Sequence, residues 1–197
     1  MSLVLASRPF DATSCDRWSR TPKSSPRCGP PEATVDQYEM SARIGPSDTP
    51  SDVFARIRDR LLAYDVFPPE IVHATIYPEG RIAAGATIVQ RIVFGPLALE
   101  AAVRVIDVWD RVTGSSAGEP GSVRIAGFRY VTLRGHPECG VASFEVRAGP
   151  TGEVTVLLEA RSRPGSWRTR LAHPIARRIQ RALTEAALRR LANDSRL

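Results

Sequence analysis

The sequence predicts an α+β domain in which an antiparallel sheet grips a long C-terminal helix and leaves an internal cavity. Three observations carry this. From about residue 74 to 163 the apolar residues repeat with period two, and Gly/Pro-rich breaks separate the runs. The chain then ends in a stretch with helical period whose apolar face is rich in alanine. Before the strands stands one more helical segment with explicit ends.

Each element follows from its residues. In "SDTPSDVFARIRDRLLAYDVFPPE", Thr49 or Ser51 can cap a helix, Val53, Phe54, Ile57, Leu61 and Leu62 fall on one face, and Pro68 and Pro69 stop it. "ATIYP" (74–78) is a short strand candidate. "ATIVQRIVF" (86–94) is a strand ended by Gly95-Pro96. "LALEAAVRVIDVWD" (97–110) follows, with Leu97, Leu99, Ala101, Val103 and Val105 on one face. Strands are also expected over 123–133, 141–148 and 153–163, the last two joined by the turn "GPTG". In the final helix Leu171, Ala172, Ile175, Ala176, Ile179, Ala182, Leu183, Ala186 and Ala187 share a face, opposite Arg170, Arg177, Arg178, Arg181 and Glu185. An antiparallel sheet can leave one face to water but must cover the other. A helix with small residues at the contact covers it and leaves space beneath.

The 197 residues suit one domain, and 43% hydrophobic with 24% charged residues is an ordinary globular balance. Residues 1–35, rich in Ser, Thr, Pro and Arg without period, are expected to form an unstructured tail, leaving 36–197 as the domain. No apolar run approaches the roughly 20 residues of a membrane span, and the start lacks a basic n-region, so the expected location is cytoplasmic. Cys15, Cys28 and Cys139 are odd in number and form no CxxC, which points to three reduced thiols and to no metal site. No Walker loop, GxGxxG, HExxH or GxSxG occurs, so no cofactor is expected. The net charge of +6 is concentrated at the end of the chain, where residues 161–197 hold ten arginines against Glu185 and Asp194. Without interleaved aromatics this argues against nucleic acid. It leaves a solvated face, or contact with an anionic surface through Arg177 and Arg181.

The stretch "GFRYVTLRGHPECGVASFEV" (127–146) opens and closes as strand and breaks at Arg-Gly-His-Pro-Glu-Cys-Gly. Gly135 and Gly140 permit positive φ, and Pro137 biases His136 to extended backbone. The break reads as a shaped hairpin loop. It also reads as a site where His136 and Glu138 anchor a polar group or act as acid and base. Arg161 and Arg163 share a strand face, for ion pairs with Glu145, Glu153 or Glu159 or for an anion.

Phe128, Tyr130, Thr132, Leu133, Gly135, His136, Pro137, Glu138, Gly140 and Phe144, followed by Ser162-Arg163-Pro164 and Gln180, resemble the motif of the DUF1990 family (domain of unknown function nineteen-ninety) over about 51–192. Val141 stands where that family tends to have an acid, and Arg134 where it often has Pro. The resemblance implies a START-like helix-grip fold and no established activity. Together the two lines give a binding module for a small apolar or amphipathic ligand, with Phe128, Tyr130, Thr132, His136, Glu138, Arg163 and Gln180 as candidate contacts. The alternatives are an enzyme of hydrolase, cyclase or isomerase type using His136 and Glu138, and an interaction protein with an Arg face.

Overall fold

The computed structural model describes residues 2–24, 34–113, 122–164 and 173–193. In chain order they form β1 (Ser2–Leu5), α1 (Ala12–Ser19), β2 (Thr34–Ser41), α2 (Pro50–Leu62), β3 (Val72–Tyr77), β4 (Thr87–Phe94), β5 (Leu97–Thr113), β6 (Val123–Thr132), β7 (Glu138–Ala148), β8 (Val154–Pro164) and α3 (His173–Asn193). The strands make one antiparallel sheet in the order β2-β8-β7-β6-β5-β4-β3, and β1 pairs with the start of β5. A register shift between Val105 and Asp107 bends the long β5, as an extra residue on one strand does. The helix-grip architecture is thus the one the sequence predicts.

Local chemistry sets the helix ends. Thr49 caps α2 in a reciprocal box with Asp52, and Pro50 opens the first turn. Val53, Phe54, Ile57 and Leu61 bury its inner face against β6 and β7. α3 packs on β8 and β2 through Ala187, Leu188, Leu191 and Ala192. The Arg190 guanidinium donates to Asp65 at 2.9 Å, and Arg60 to the Arg190 carbonyl at 3.2 Å, which ties the two helices together.

Two expectations are corrected. Residues 2–24 are built into the fold and are not an unstructured tail. α1 lies on the outer face of β4 and β5, where Cys15 and Trp18 pack with Val89, Ala102 and Leu133 in a second small core. Beneath it Arg91 and Glu100, cross-strand partners 2% exposed each, are joined at 2.8 Å. The other Glu100 oxygen accepts from Trp18 Nε1 and Ser14 Oγ, both at 2.9 Å. Arg91 also donates to the Arg8 carbonyl and stacks on the Phe10 ring. Burial would raise the Glu100 pKa, but these donors and the Arg91 charge outweigh it, and the carboxyl is held below its ordinary value. Secondly, Cys139 is disulfide-bonded, with its partner outside the described residues, and Cys15 is free and buried. Three reduced thiols therefore no longer support the choice of compartment. Among the described residues no helix is long and apolar enough to cross a membrane.

Candidate functional site

Side-chain size, read across three strands, makes a cavity. On the inner face of β6, β7 and β8 the pairing rows run Phe128–Phe144–Leu158, then Tyr130–Ala142–Ala160, then Thr132–Gly140–Ser162. The first row is large and fills the core under α2, where Phe128 and Phe144 stack at 5.2 Å. The next two rows shrink to Ala, Gly and Ser, and the space is not refilled. The result is a cavity of about 220 Å³. Val72, Ile92, Phe94 and Leu99 wall its far side, and Leu183 and Thr184 of α3 cover it.

Tyr130 and Gln90 are polar groups in its lining, and both are hydrogen-bonded to the buried Tyr64 hydroxyl, which does not line it. Gln90 Nε2 donates to the Tyr64 hydroxyl, and Tyr130 shares hydrogen bonds with both. Tyr64 stands just past the C-cap of α2 with φ +58°, where glycine is usual. Its ring is buried against Phe67 and Phe128, which holds the backbone in that conformation. Burial pushes the Tyr64 hydroxyl well above its ordinary pKa. Burial and the Glu138 charge push Tyr130 up to about 12. Both stay protonated at neutral pH and can donate.

The Arg-Gly-His-Pro-Glu-Cys-Gly break is largely self-satisfied. Gly135 takes φ +91°, as expected. Gly140 does not; it is extended, and a Cβ there would fall on the Arg161 carbonyl and 2.7 Å from Ser162 Cα. Its reason is the close approach of β8. The Thr132 hydroxyl accepts from the Gly140 amide at 3.0 Å and lies 3.3 Å from its carbonyl, continuing the ladder by one side chain. His136 Nδ1 folds onto Glu138, 3.1 Å from its amide and 3.0 Å from its carbonyl. Either tautomer spends that nitrogen on the backbone and not on the Glu138 carboxylate.

Burial pushes the His136 pKa down to about 4, against a weaker opposing effect of the Glu138 backbone bond. The unfolded chain takes up this proton near pH 6.5 and the folded chain only near pH 4. The stability carried by the neutral ring is therefore full above pH 6.5 and is lost as pH falls from 6.5 towards 4. Thermal unfolding followed across that window should show the fall, about 3 kcal/mol at most at 1.36 kcal/mol per pKa unit. His136→Asn should flatten it.

The structure brings Tyr130, Thr132, His136 and Glu138 to the lining of one cavity. Phe128 is fully buried in the adjoining core and does not line it. Arg163 stands opposite Cys139, on the other face of the sheet from Gly140 and Ser162, because side chains alternate along a strand. The nearby Arg161 pairs with Glu159 at 2.9 Å. The Gln180 and Arg177 side chains lie outside the described residues, and Arg181 is exposed on α3. Sequence reasoning missed Tyr64 and Gln90. The available signal was Gln90 itself, a lone amide inside the apolar run "TIVQRIVF". Among the described residues no group of three or more His, Cys, Asp or Glu side chains is placed to hold a metal ion.

A family model for a domain of unknown function (DUF1990) matches residues 20–190. The chain belongs to the DUF1990 family. The match includes α2, the cavity strands and most of α3, and it leaves out β1 and α1. No curated protein matches the chain. Among solved structures it is similar to norcoclaurine synthase from Thalictrum flavum in complex with dopamine and hydroxybenzaldehyde, at 12% identity and a TM-score of 0.45, covering 84% of this chain and 89% of that one. It is also similar to Ara h 8.0201, at 9% identity and a TM-score of 0.47, covering 81% and 97%. Ginseng major latex-like protein 151 from Panax ginseng gives 12% identity, a TM-score of 0.38, and 76% and 97% coverage. At such identities the likeness concerns the fold, and no activity of this DUF1990 member is taken from it.

Proposed function

We propose that the protein is a binding module for a small apolar or amphipathic molecule held between the sheet and the C-terminal helix. The observation that carries this is the cavity of about 220 Å³, walled mainly by aliphatic and aromatic side chains, with Gln90 and Tyr130 in its lining. A concave apolar site with few polar groups is the usual form of a small-molecule pocket. The neutral Tyr130 phenol beside Gln90 suits a ligand with a hydroxyl or carbonyl at one end, and His136 and Glu138 offer a second polar contact near the loop. No cofactor enters this reading.

The acid/base reading of His136 with Glu138 has less support. The ring nitrogen nearest Glu138 is committed to backbone. A ring with a pKa of about 4 is also a weak base at neutral pH.

Titration with 1-aminoanthracene, a neutral three-ring fluorophore, tests the proposal. A saturable, single-site rise in emission is the expected result. A linear, unsaturable signal like that of a folded protein without a cavity would overturn it.

A further inference from the structure

A second cavity, of about 310 Å³, lies on the outer face of the sheet, away from the apolar one. Its floor is the buried Arg91–Glu100 pair of β4 and β5. Val4 forms one wall; its cross-strand partner Ala98 shares the face of Glu100. The first turn of α1, with Thr13 and Ser14, forms another. Arg8 ahead of that helix and Arg17 within it complete the lining with Asp11.

The lining holds three guanidinium groups and two carboxylates. Both carboxylates are already well supplied with donors. One Glu100 oxygen accepts from Arg91 Nε at 2.9 Å and its terminal nitrogen at 2.8 Å. The other accepts from Trp18 and Ser14, both at 2.9 Å. Asp11 accepts from the Ser14 amide at 2.6 Å and from Arg8 at 3.1 Å. Arg17 therefore comes last to oxygens that are taken, and its contacts with Glu100 and with Ser14 Oγ are both long, at 3.4 Å. The Arg8 and Arg17 side chains are 59% and 61% exposed. Exposed ion pairs of this kind hold weakly, and each guanidinium carries five N–H donors. The cavity is thus rich in donors and short of acceptors.

We infer that it binds the oxyanion group, phosphate or carboxylate, of a small metabolite, with Arg8 and Arg17 as the clamp. The planar fork of arginine matches either group in two parallel hydrogen bonds. The buried Arg91 charge and the positive end of α1 add to the attraction. Val4 and the arginine stems leave room for a short carbon skeleton behind the anion. Six of the eight lining residues precede residue 20, where the family match begins, so the site is built chiefly from the arm that the match leaves out. It is independent of the apolar cavity and of what that cavity binds.

The test follows the indole N–H signal of Trp18 in the ¹⁵N-labelled full chain during titration with inorganic phosphate and, separately, acetate. That N–H bonds the Glu100 oxygen that Arg17 also approaches, so an anion that draws Arg17 away shifts it. A saturable shift complete by about 10 mM is expected, with the Trp109 signal, towards the other end of β5, unmoved. Sodium chloride at equal ionic strength should not reproduce it. A response to phosphate alone names a phosphate ester, and a response to acetate names a carboxylate. Arg8→Ala/Arg17→Ala should weaken binding roughly tenfold or more, as loss of charge-assisted hydrogen bonds does. Thr13→Glu, a favourable change in the first turn of a helix, should abolish binding while thermal stability holds or rises. No shift with either probe, an equal shift with chloride, or affinity unchanged in both variants would overturn the inference.

Discussion

Arg91→Ala is expected to destabilise the protein by about 3–5 kcal/mol, the range for removing one partner of a buried ion pair. Glu100 would then lie buried beneath α1 without its main counter-charge, as Arg17 is the other guanidinium near it, at 3.4 Å, and is itself well exposed. The Arg8 carbonyl would lose its donor and Phe10 its stacked guanidinium. Urea unfolding measures the loss. Arg91→Met/Glu100→Gln should recover much of it, because glutamine still accepts from Trp18 and Ser14 while the lone charge is gone. A loss below about 1 kcal/mol, as for an exposed pair, would mean that α1 does not cover this face in solution.

Ala160→Leu should weaken 1-aminoanthracene binding by roughly tenfold or more, since adding methylenes to a filled-in site excludes the ligand's own atoms. Ala160 sits in the middle of the small-residue rows, opposite Ala142, and lines the cavity. In a packed core the same change would cost about 1–3 kcal/mol of stability. Here the side chain enters open space, so stability should hold or rise. Weakened dye binding without loss of stability is the signature of an occupied cavity. Unchanged binding would place the dye elsewhere.

The sheet was legible where one face is apolar and the other polar. β4 through β8 begin and end within about three residues of their expected positions, and Thr49, Pro68 and Pro69 mark the bounds of α2 and the turn after it. β1, α1 and β2 were not legible, for a physical reason. The face of β4 and β5 that α1 covers is made of Val89, Arg91, Ala98, Glu100, Ala102 and Arg104. Arg and Glu at alternate positions read as a solvent face, yet here they are buried as a pair. The small alanines on both faces of β5 were the available hint that both faces are covered. α1, eight residues long with only Cys15 and Trp18 buried, has no apolar stripe to detect.

The site was half legible. Tyr130, Thr132, His136 and Glu138 were picked from the motif and meet at one cavity. Which face Arg163 takes depends on strand register, and whether Phe128 is wall or core depends on where α2 lies; neither is written in local sequence. Gly140 was noticed for its φ, and its role is close strand approach. The Tyr64–Gln90–Tyr130 cluster joins three elements remote in sequence, so no local pattern announces it.

The most direct measurement is native mass spectrometry of the protein purified from its own host, followed by denaturing release of whatever is bound. A stoichiometric, neutral apolar or amphipathic molecule, lost in Ala160→Leu, is the result this account predicts. A protein that carries nothing from its host and that 1-aminoanthracene does not saturate would contradict it.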